Sequence, residues 1–288
     1  MADKTRSFLK WAGGKYRLSE AISETLPEGK RLIEPFVGAA SVFLNTDYDR
    51  YLLNDINEDL INLYRYLQSD VDGYLHEARK LFNPSMNQKE RYLDIRVQFN
   101  ACSDPLERSV FFLYLNRHCY NGLCRYNRSG GFNVPFGSYV RPYFPEKELR
   151  LFAEKAQRAE FVCMDYQDVF KQAKKGDVIY CDPPYVPLSK TASFTTYAKN
   201  GFSMDEQQRL AVLAHQYATK KNVPVLLSNH ATEWIEGAYG KATERKYVKV
   251  NRAISTKGHT RKSVDEVLAL YLPDDFPFSS SQKTQVAV

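Results

Sequence analysis

The sequence predicts an α/β protein built on a doubly wound, mainly parallel sheet, with a helical insertion that carries a β-hairpin. Three observations predict it. Short apolar runs ending in Gly, Asp, Asn or Pro recur along the chain, the pattern of strands buried on both faces. Amphipathic helical patterns lie between several of these runs. From residue 57 to about 116, however, the helical pattern continues without any intervening strand, so this stretch is read as an insertion.

The strand candidates are RLIEPFVG (31–38), RYLLND (50–55), EFVCMD (160–165), DVIYCDPP (177–184) and VPVLLSNH (223–230). Helical patterns cover Lys15 to Leu26, Glu146 to Gln157 and Asp205 to Lys221, the last with Leu210, Leu213, Ala214 and Tyr217 on one face. Two alternating runs, KYVKVNRAI (246–254) and DEVLALYL (265–272), read as a hairpin closing the sheet. The insertion holds DLINLYRYLQ (59–68), YLHEARKLF (74–82), ERYLDIRVQFN (90–100) and ERSVFFLYLN (107–116). Ser129-Gly130-Gly131 then marks a hairpin turn in an aromatic, Gly/Asn-rich stretch. The expected organisation is a discontinuous domain, 1–56 with 145–272, an inserted subdomain, 57–144, and a frayed tail, 273–288, polar and without periodicity from Pro277.

Composition narrows the class. With 43% hydrophobic and 26% charged residues the chain is neither fibrous nor disordered. It has no run of about 20 apolar residues and no leader-like apolar core, so the expectation is a cytoplasmic protein with no membrane role. The cysteines, at 102, 119, 124, 163 and 181, form no CxxC pair, and His118 near Cys119 and Cys124 lacks a fourth ligand at finger spacing; free thiols and no metal are expected. The net charge of +6 is mild, but its distribution is not. No acid occurs from Arg108 to Pro145, where Arg108, Arg117, Arg125, Arg128 and Arg141 alternate with aromatic residues. A second basic run spans Lys241 to Lys262. Two such stretches suit one phosphate backbone.

Asp182-Pro183-Pro184-Tyr185 follows an apolar strand, at the carboxyl edge where open α/β sheets place their sites. Consecutive prolines remove two N–H donors and leave carbonyls beside an acid and an aromatic face. Such a corner accepts a planar group bearing an NH₂. Both N–H bonds of that amine, taken by Asp182 and the Pro183 carbonyl, would favour a tetrahedral nitrogen with its lone pair exposed, while Tyr185 stacks on the ring. A plain strand-ending turn gives the same four letters. The first strand ends in the small-residue turn Glu34 to Ala40, where a cofactor can approach backbone closely, but GxGxxG is missing. Asp55, 17 residues after Gly38, stands where nucleotide-binding folds put an acid on ribose hydroxyls, or else belongs to the cap of the next helix. Trp11, between Lys10 and Lys15 in FLKWAGGK, reads equally as a binding face and as a core anchor.

Taken together, FLKWAGGK (8–15), EPFVGAASVFLN (34–45), NDIN (54–57), FLYLNRHCYNGLCRYNRSGGFNVPFGSY (112–139), PYFPEKEL (142–149), YCDPPYVPLS (180–189) and LLSNH (226–230) resemble, in order, the motifs of Dam-type DNA adenine-N6 methyltransferases. The resemblance covers residues 8 to about 272. It implies a Rossmann-like methyltransferase sheet with an inserted recognition subdomain, S-adenosyl-L-methionine as methyl donor, and duplex DNA containing GATC as substrate. It further implies that Trp11, Lys15, Phe36, Gly38, Asp55, Tyr166 and Asp182 hold the cofactor, and that Asp182, Pro183, Pro184 and Tyr185 receive a flipped adenine. Arg125 resembles the family's guanine-reading arginine. Tyr120 and Asn121 resemble residues at the orphaned thymine, and Leu123, Pro135 and Tyr139 base-contacting positions. Lys10 resembles a contact to the first guanine, and Arg96 and Arg117 resemble phosphate clamps.

Where the family has a second glycine in its FxGxG-like turn, this chain has Ala40, whose methyl group is expected to fit only at negative φ. The segment Leu188 to Gly201 is expected to stay mobile until it closes over the base. A monomer with no obligatory protein partner is expected, because one chain holds both cofactor site and reader. Two rivals remain at this point: methylation of cytosine N4, which the same corner would hold, and a catalytically silent GATC-binding module. A nicotinamide dehydrogenase fails for want of the phosphate fingerprint.

Overall fold

The computed structural model describes residues 4–185, 202–251 and 263–276. The segment 188–201 and the tail from Pro277 therefore lie outside the described residues, as do Arg252, Lys257 and Arg261 of the second basic run. The strands are β1 (Arg31–Glu34), β2 (Arg50–Asn54), β3 (Ala159–Val162), β4 (Asp177–Cys181), β5 (Val225–His230), β6 (Glu244–Asn251) and β7 (Ser263–Tyr271). They form one sheet in the order β3-β2-β1-β4-β5-β7-β6. The first five pair in parallel, and β7 enters antiparallel between β5 and β6. The strand order reverses between β1 and β4, so the crevice of the doubly wound sheet opens there.

Helices α1 (Ser19–Thr25), α2 (Ser41–Asn45) and α3 (Glu58–Ser69) follow or precede the first strands; α4 (Val71–Arg79), α5 (Lys89–Ala101) and α6 (Pro105–His118) come before α7 (Glu146–Ala156) and β3. The remaining helices are α8 (Tyr166–Lys171), α9 (Met204–Lys221) and α10 (Glu233–Ala238). Alternate strand residues serve two cores. Leu32, Tyr51, Leu53, Val178, Tyr180 and Leu226 face a core shared with α1 to α7. Ile33, Leu52, Ile179, Cys181, Val225 and Leu227 face one shared with α8 to α10.

The inserted helices begin and end where their sequences direct. Asn57 caps α3 by accepting from the Leu60 N–H. Asp104 caps α6 through the Glu107 N–H, with Pro105 in the first turn where a missing N–H costs nothing. Nine of the 14 residues of α6 are buried, which makes it the central helix of this layer. The expected hairpin at 119–139 is reduced to two isolated bridges, Cys119 with Phe136 and Tyr126 with Phe132. Side chains supply what a ladder would: Asn100 bonds both the N–H and the carbonyl of Phe132, and Asn127 accepts from the Gly131 N–H.

Candidate active site

The carboxyl ends of β2, β1 and β4 lie side by side, and they present Asp55, the turn at Gly38 and Asp182 along one edge. Asn54 holds that edge together. Its side-chain amide donates to the carbonyls of Pro35 and Met164, and its oxygen accepts from the Met164 N–H. Asp55 accepts from the Gly38 N–H at 3.1 Å and the Asn57 N–H at 2.9 Å. Burial pushes its carboxyl up to about 6, with those backbone N–H groups pulling the other way, so it is mainly ionised at neutral pH. The cap of α3 is Asn57 rather than Asp55.

Gly38 has φ +46°, and a Cβ built on it would lie 3.1 Å from Trp11 Nε1. The indole therefore rests against bare backbone, and a side chain here would both strain the turn and push Trp11 away. Two residues on, the expectation for Ala40 is overturned: φ is +58°, in the left-handed region, and the residue is fully buried. The cause is local. Ala40 must close the turn onto the Val37 carbonyl at 2.8 Å and also offer its own carbonyl to Leu44 to start α2. A left-handed alanine costs about 1–2 kcal/mol. Ala40→Gly is expected to raise the unfolding free energy by about 1 kcal/mol, read as the urea midpoint; a lower midpoint would refute the strain.

Lys15 is buried at the centre of the site, 5% exposed. Its Nζ lies 2.8 Å from Asp182 Oδ1, donates to the Gly13 carbonyl at 2.9 Å and stands 4.6 Å above the Tyr185 ring centroid. Tyr185 donates to Glu266 Oε2 at 2.9 Å and meets His230 edge to face. Behind the turn, Gln207 Nε2 donates to the Pro184 carbonyl at 2.8 Å, and Gln207 Oε1 accepts from Asn229 and from Tyr239. Glu34, 1% exposed, has no hydrogen-bond partner for Oε1. Burial, reinforced by the nearby Asp182 carboxylate, pushes its carboxyl up to about 8, so it keeps its proton at neutral pH. Phe36 and Tyr166 lie 5.4 Å apart and both contact Phe202, while the Tyr166 hydroxyl donates to Glu206.

The expected DNA-contacting residues gather around the 119–139 loop. Lys10 Nζ sits 3.6 Å above the Tyr139 ring and donates to the Arg117 carbonyl. Gly122, at φ +62°, packs so closely on Lys10 that a Cβ would come within 2.1 Å of the lysine Cβ. Asn121, also left-handed at φ 54°, donates its N–H to the Tyr139 hydroxyl, and Tyr120 donates its N–H to Pro135. Leu123 follows, half-buried, and Tyr120 is 49% exposed. Arg117 donates to the carbonyls of Tyr143 and Phe8. Arg96 donates to Val134, and Arg125 grips Asn133 through Nε at 2.8 Å and Nη2 at 3.1 Å. Arg108 departs from the basic surface read from the sequence. It pairs with Asp59 through two nitrogens and donates to the Phe99 carbonyl, so its charge is spent inside the helical layer.

Several partners had no sequence signal of their own. Ser228 and Glu266 stand in apolar strands and meet the site through strand register, and Gln207 reaches it from the first turn of α9. Asn116, 1% exposed, exchanges two hydrogen bonds with the Lys10 backbone and so ties the 8–15 segment to the end of α6. Among the described residues no three His, Cys, Asp or Glu side chains converge as a metal site, and no helix is long and apolar enough to cross a membrane.

A family model for D12 class N6 adenine-specific DNA methyltransferases matches residues 11–254. The chain is 57% identical over 270 residues to a DNA adenine methylase of Vibrio cholerae serotype O1, covering 94% of this chain and 97% of that one. It is 56% identical to one of Salmonella typhimurium and 54% identical to one of Escherichia coli K12, in each case over 94% of this chain and 96% of the relative. With the site at the carboxyl edge of the sheet and this likeness along its length, the chain belongs to the D12 class of N6 adenine-specific DNA methyltransferases.

Proposed function

We propose that the enzyme reads GATC in duplex DNA with residues 117–139, turns the target adenine out of the helix and methylates it at the corner formed by Asp182 to Tyr185. The reaction itself follows from the family: a methyl group moves from S-adenosyl-L-methionine to N6 of adenine in DNA. When bound, S-adenosylmethionine supplies an electrophilic methyl on a sulfonium. The residues present fit it: Asp55 offers ionised acceptors to ribose hydroxyls, Gly38 leaves the cofactor a bare backbone under Trp11, and Phe36 and Tyr166 give an aromatic wall. Lys15 and Asp182 complete the set.

The observation that carries the reading is the junction of Asp182, Lys15 and Tyr185 beside the Gly38 turn, at the point where strand order reverses. The amine of adenine is a poor nucleophile because its lone pair is delocalised. Asp182 accepts one N–H, and, since Gln207 takes the Pro184 carbonyl, the Pro183 carbonyl is the acceptor we assign to the other. Tyr185, braced by Glu266 and His230, stacks on the ring. Flipping is required because a duplex hides the amine, and stacking repays its cost of a few kcal/mol. Catalysis then rests on proximity and on an acceptor aimed at the nitrogen where positive charge develops.

In the reader, Tyr120, Asn121, Leu123, Pro135 and Tyr139 face the bases, with Arg125 and Lys10 on guanines, and Arg96 and Arg117 hold phosphates. We assign residues 57–144 to the target-recognition subdomain, and the enzyme to a monomeric state, since cofactor site and reader share one chain. The test is mass spectrometry of nucleosides from duplexes that differ by GATC or GTTC at one locus, after incubation with enzyme and S-adenosylmethionine. N6-methyladenine in the GATC duplex alone is expected. Equal transfer to both overturns the reader, and N4-methylcytosine overturns the target.

A further inference from the structure

The carboxylate of Asp182 has a built support behind it. β4 and β5 pair in parallel with Tyr180 opposite Leu226 and Cys181 opposite Leu227, so the next residues, Asp182 and Ser228, fall side by side on the face that Tyr180 also shares. Ser228, fully buried, donates from Oγ to Asp182 Oδ1 at 3.2 Å. The Tyr180 hydroxyl, on a residue 1% exposed, lies 2.9 Å from the same Oγ. A serine hydroxyl has one proton. Since Ser228 gives its proton to Asp182, Tyr180 must be the donor to Ser228, and the chain of bonds runs one way. Lys15 adds a second donor to Oδ1 at 2.8 Å.

We propose that Tyr180 and Ser228 are positioning residues of methyl transfer: their one-way hydrogen-bond chain, with Lys15, saturates Asp182 Oδ1, fixes the carboxylate plane and presents Oδ2 to the target amine. A carboxylate torsion is otherwise broad, and a rotated carboxylate would miss the amine lone-pair geometry that transfer needs. Both residues are too deeply buried to touch substrate, so they act through Asp182 alone. The inference rests on the reading of Asp182 as the amine acceptor.

The experiment compares Ser228→Ala, Tyr180→Phe, the double variant and Asp182→Ala in the full chain. It measures single-turnover methyl transfer at saturating S-adenosylmethionine and GATC duplex, equilibrium affinities for both, and thermal midpoint. Ser228→Ala is expected to slow transfer about tenfold, the scale of one hydrogen bond to a charged group, with both affinities unchanged within about twofold. Tyr180→Phe is expected to slow it less. The double variant is expected to match Ser228→Ala, because a chain broken at Ser228 has nothing to pass on. Wild-type rates in the single variants, a loss confined to affinity, or losses that multiply in the double variant would overturn the proposal. If Ser228→Ala does not fold, Tyr180→Phe, which deletes one oxygen and keeps the ring, decides by the same readouts. Should Asp182→Ala itself transfer methyl at the normal rate, the reading of Asp182 falls too; if it is inactive while the others are normal, the positioning role alone falls.

Discussion

Asp182→Ala is expected to lower single-turnover adenine methylation by at least about 10²–10³-fold, the effect of removing a preorganised electrostatic partner from the reacting centre. Two losses add. The amine loses the acceptor that localises its lone pair, and Lys15, held 5% exposed against that carboxylate, is left with Glu266 Oε2 at 4.0 Å as its nearest remaining carboxylate in the site. A buried ammonium deprived of its close partner is costly, so the lysine is expected to move toward Glu266 and disturb the Tyr185 hydroxyl bonded there. Asp182→Asn separates the two: it keeps the shape and one acceptor while removing the charge. It should fall between wild type and alanine. Quantifying N6-methyladenosine nucleosides after a single turnover checks this, and a residual rate within about tenfold of wild type for Asp182→Ala would refute the role.

Arg125→Ala is expected to relax base choice by about 5- to 150-fold, equivalent to the roughly 1–3 kcal/mol of a bidentate arginine–guanine contact, while methyl transfer on GATC at saturating DNA stays near normal. The hydrogen bonds of Arg125 bear on how it would meet a guanine under this proposal. Nε and Nη2 are already turned to Asn133, which leaves the terminal Nη1–Nη2 edge to meet guanine O6 and N7. Asn133→Ala is expected to give a weaker relaxation of the same kind, because the guanidinium is then free to swing. Competition between GATC and singly altered duplexes measures both. Unchanged discrimination in Arg125→Ala would remove it from the reader.

The sheet was legible because buried parallel strands and amphipathic helices leave strong local periods. The trio of Gly38, Asp55 and Asp182 was legible for a related reason: Asp55 and Asp182 directly follow β2 and β4, and Gly38 lies in the turn that leaves β1, so topology brings them to one edge. What escaped depends on distance along the chain. Ser228 and Glu266 look like ordinary polar residues in apolar strands until register sets them beside Asp182 and Tyr185. Arg108 looked like part of a basic face because Asp59, 49 residues earlier, gives no local sign that it will pair. Ala40 defied a sound steric expectation because a turn closed at both ends dictates its φ more strongly than its own Cβ does.

The pairing of β2 with β3 carries a consequence for how the molecule is made. The chain leaves the sheet at Asn54 and returns at Ala159, so this pair, like β1 with β4, closes a loop of about a hundred residues or more, whereas β1 meets β2 after a short connection. Contacts between such remote residues form late, after local ones have been made. The outer edge of β2 therefore stays unpaired during synthesis until the five helices α3 to α7 have been made and packed. Asn54 cannot join the Pro35 and Met164 backbones before that event, and Asp55 sits next to it. Assembly of the edge that carries Asp55 thus waits on the same segment to which we assign DNA reading, and a nascent chain interrupted within residues 57–144 lacks both of the parts proposed for the enzyme.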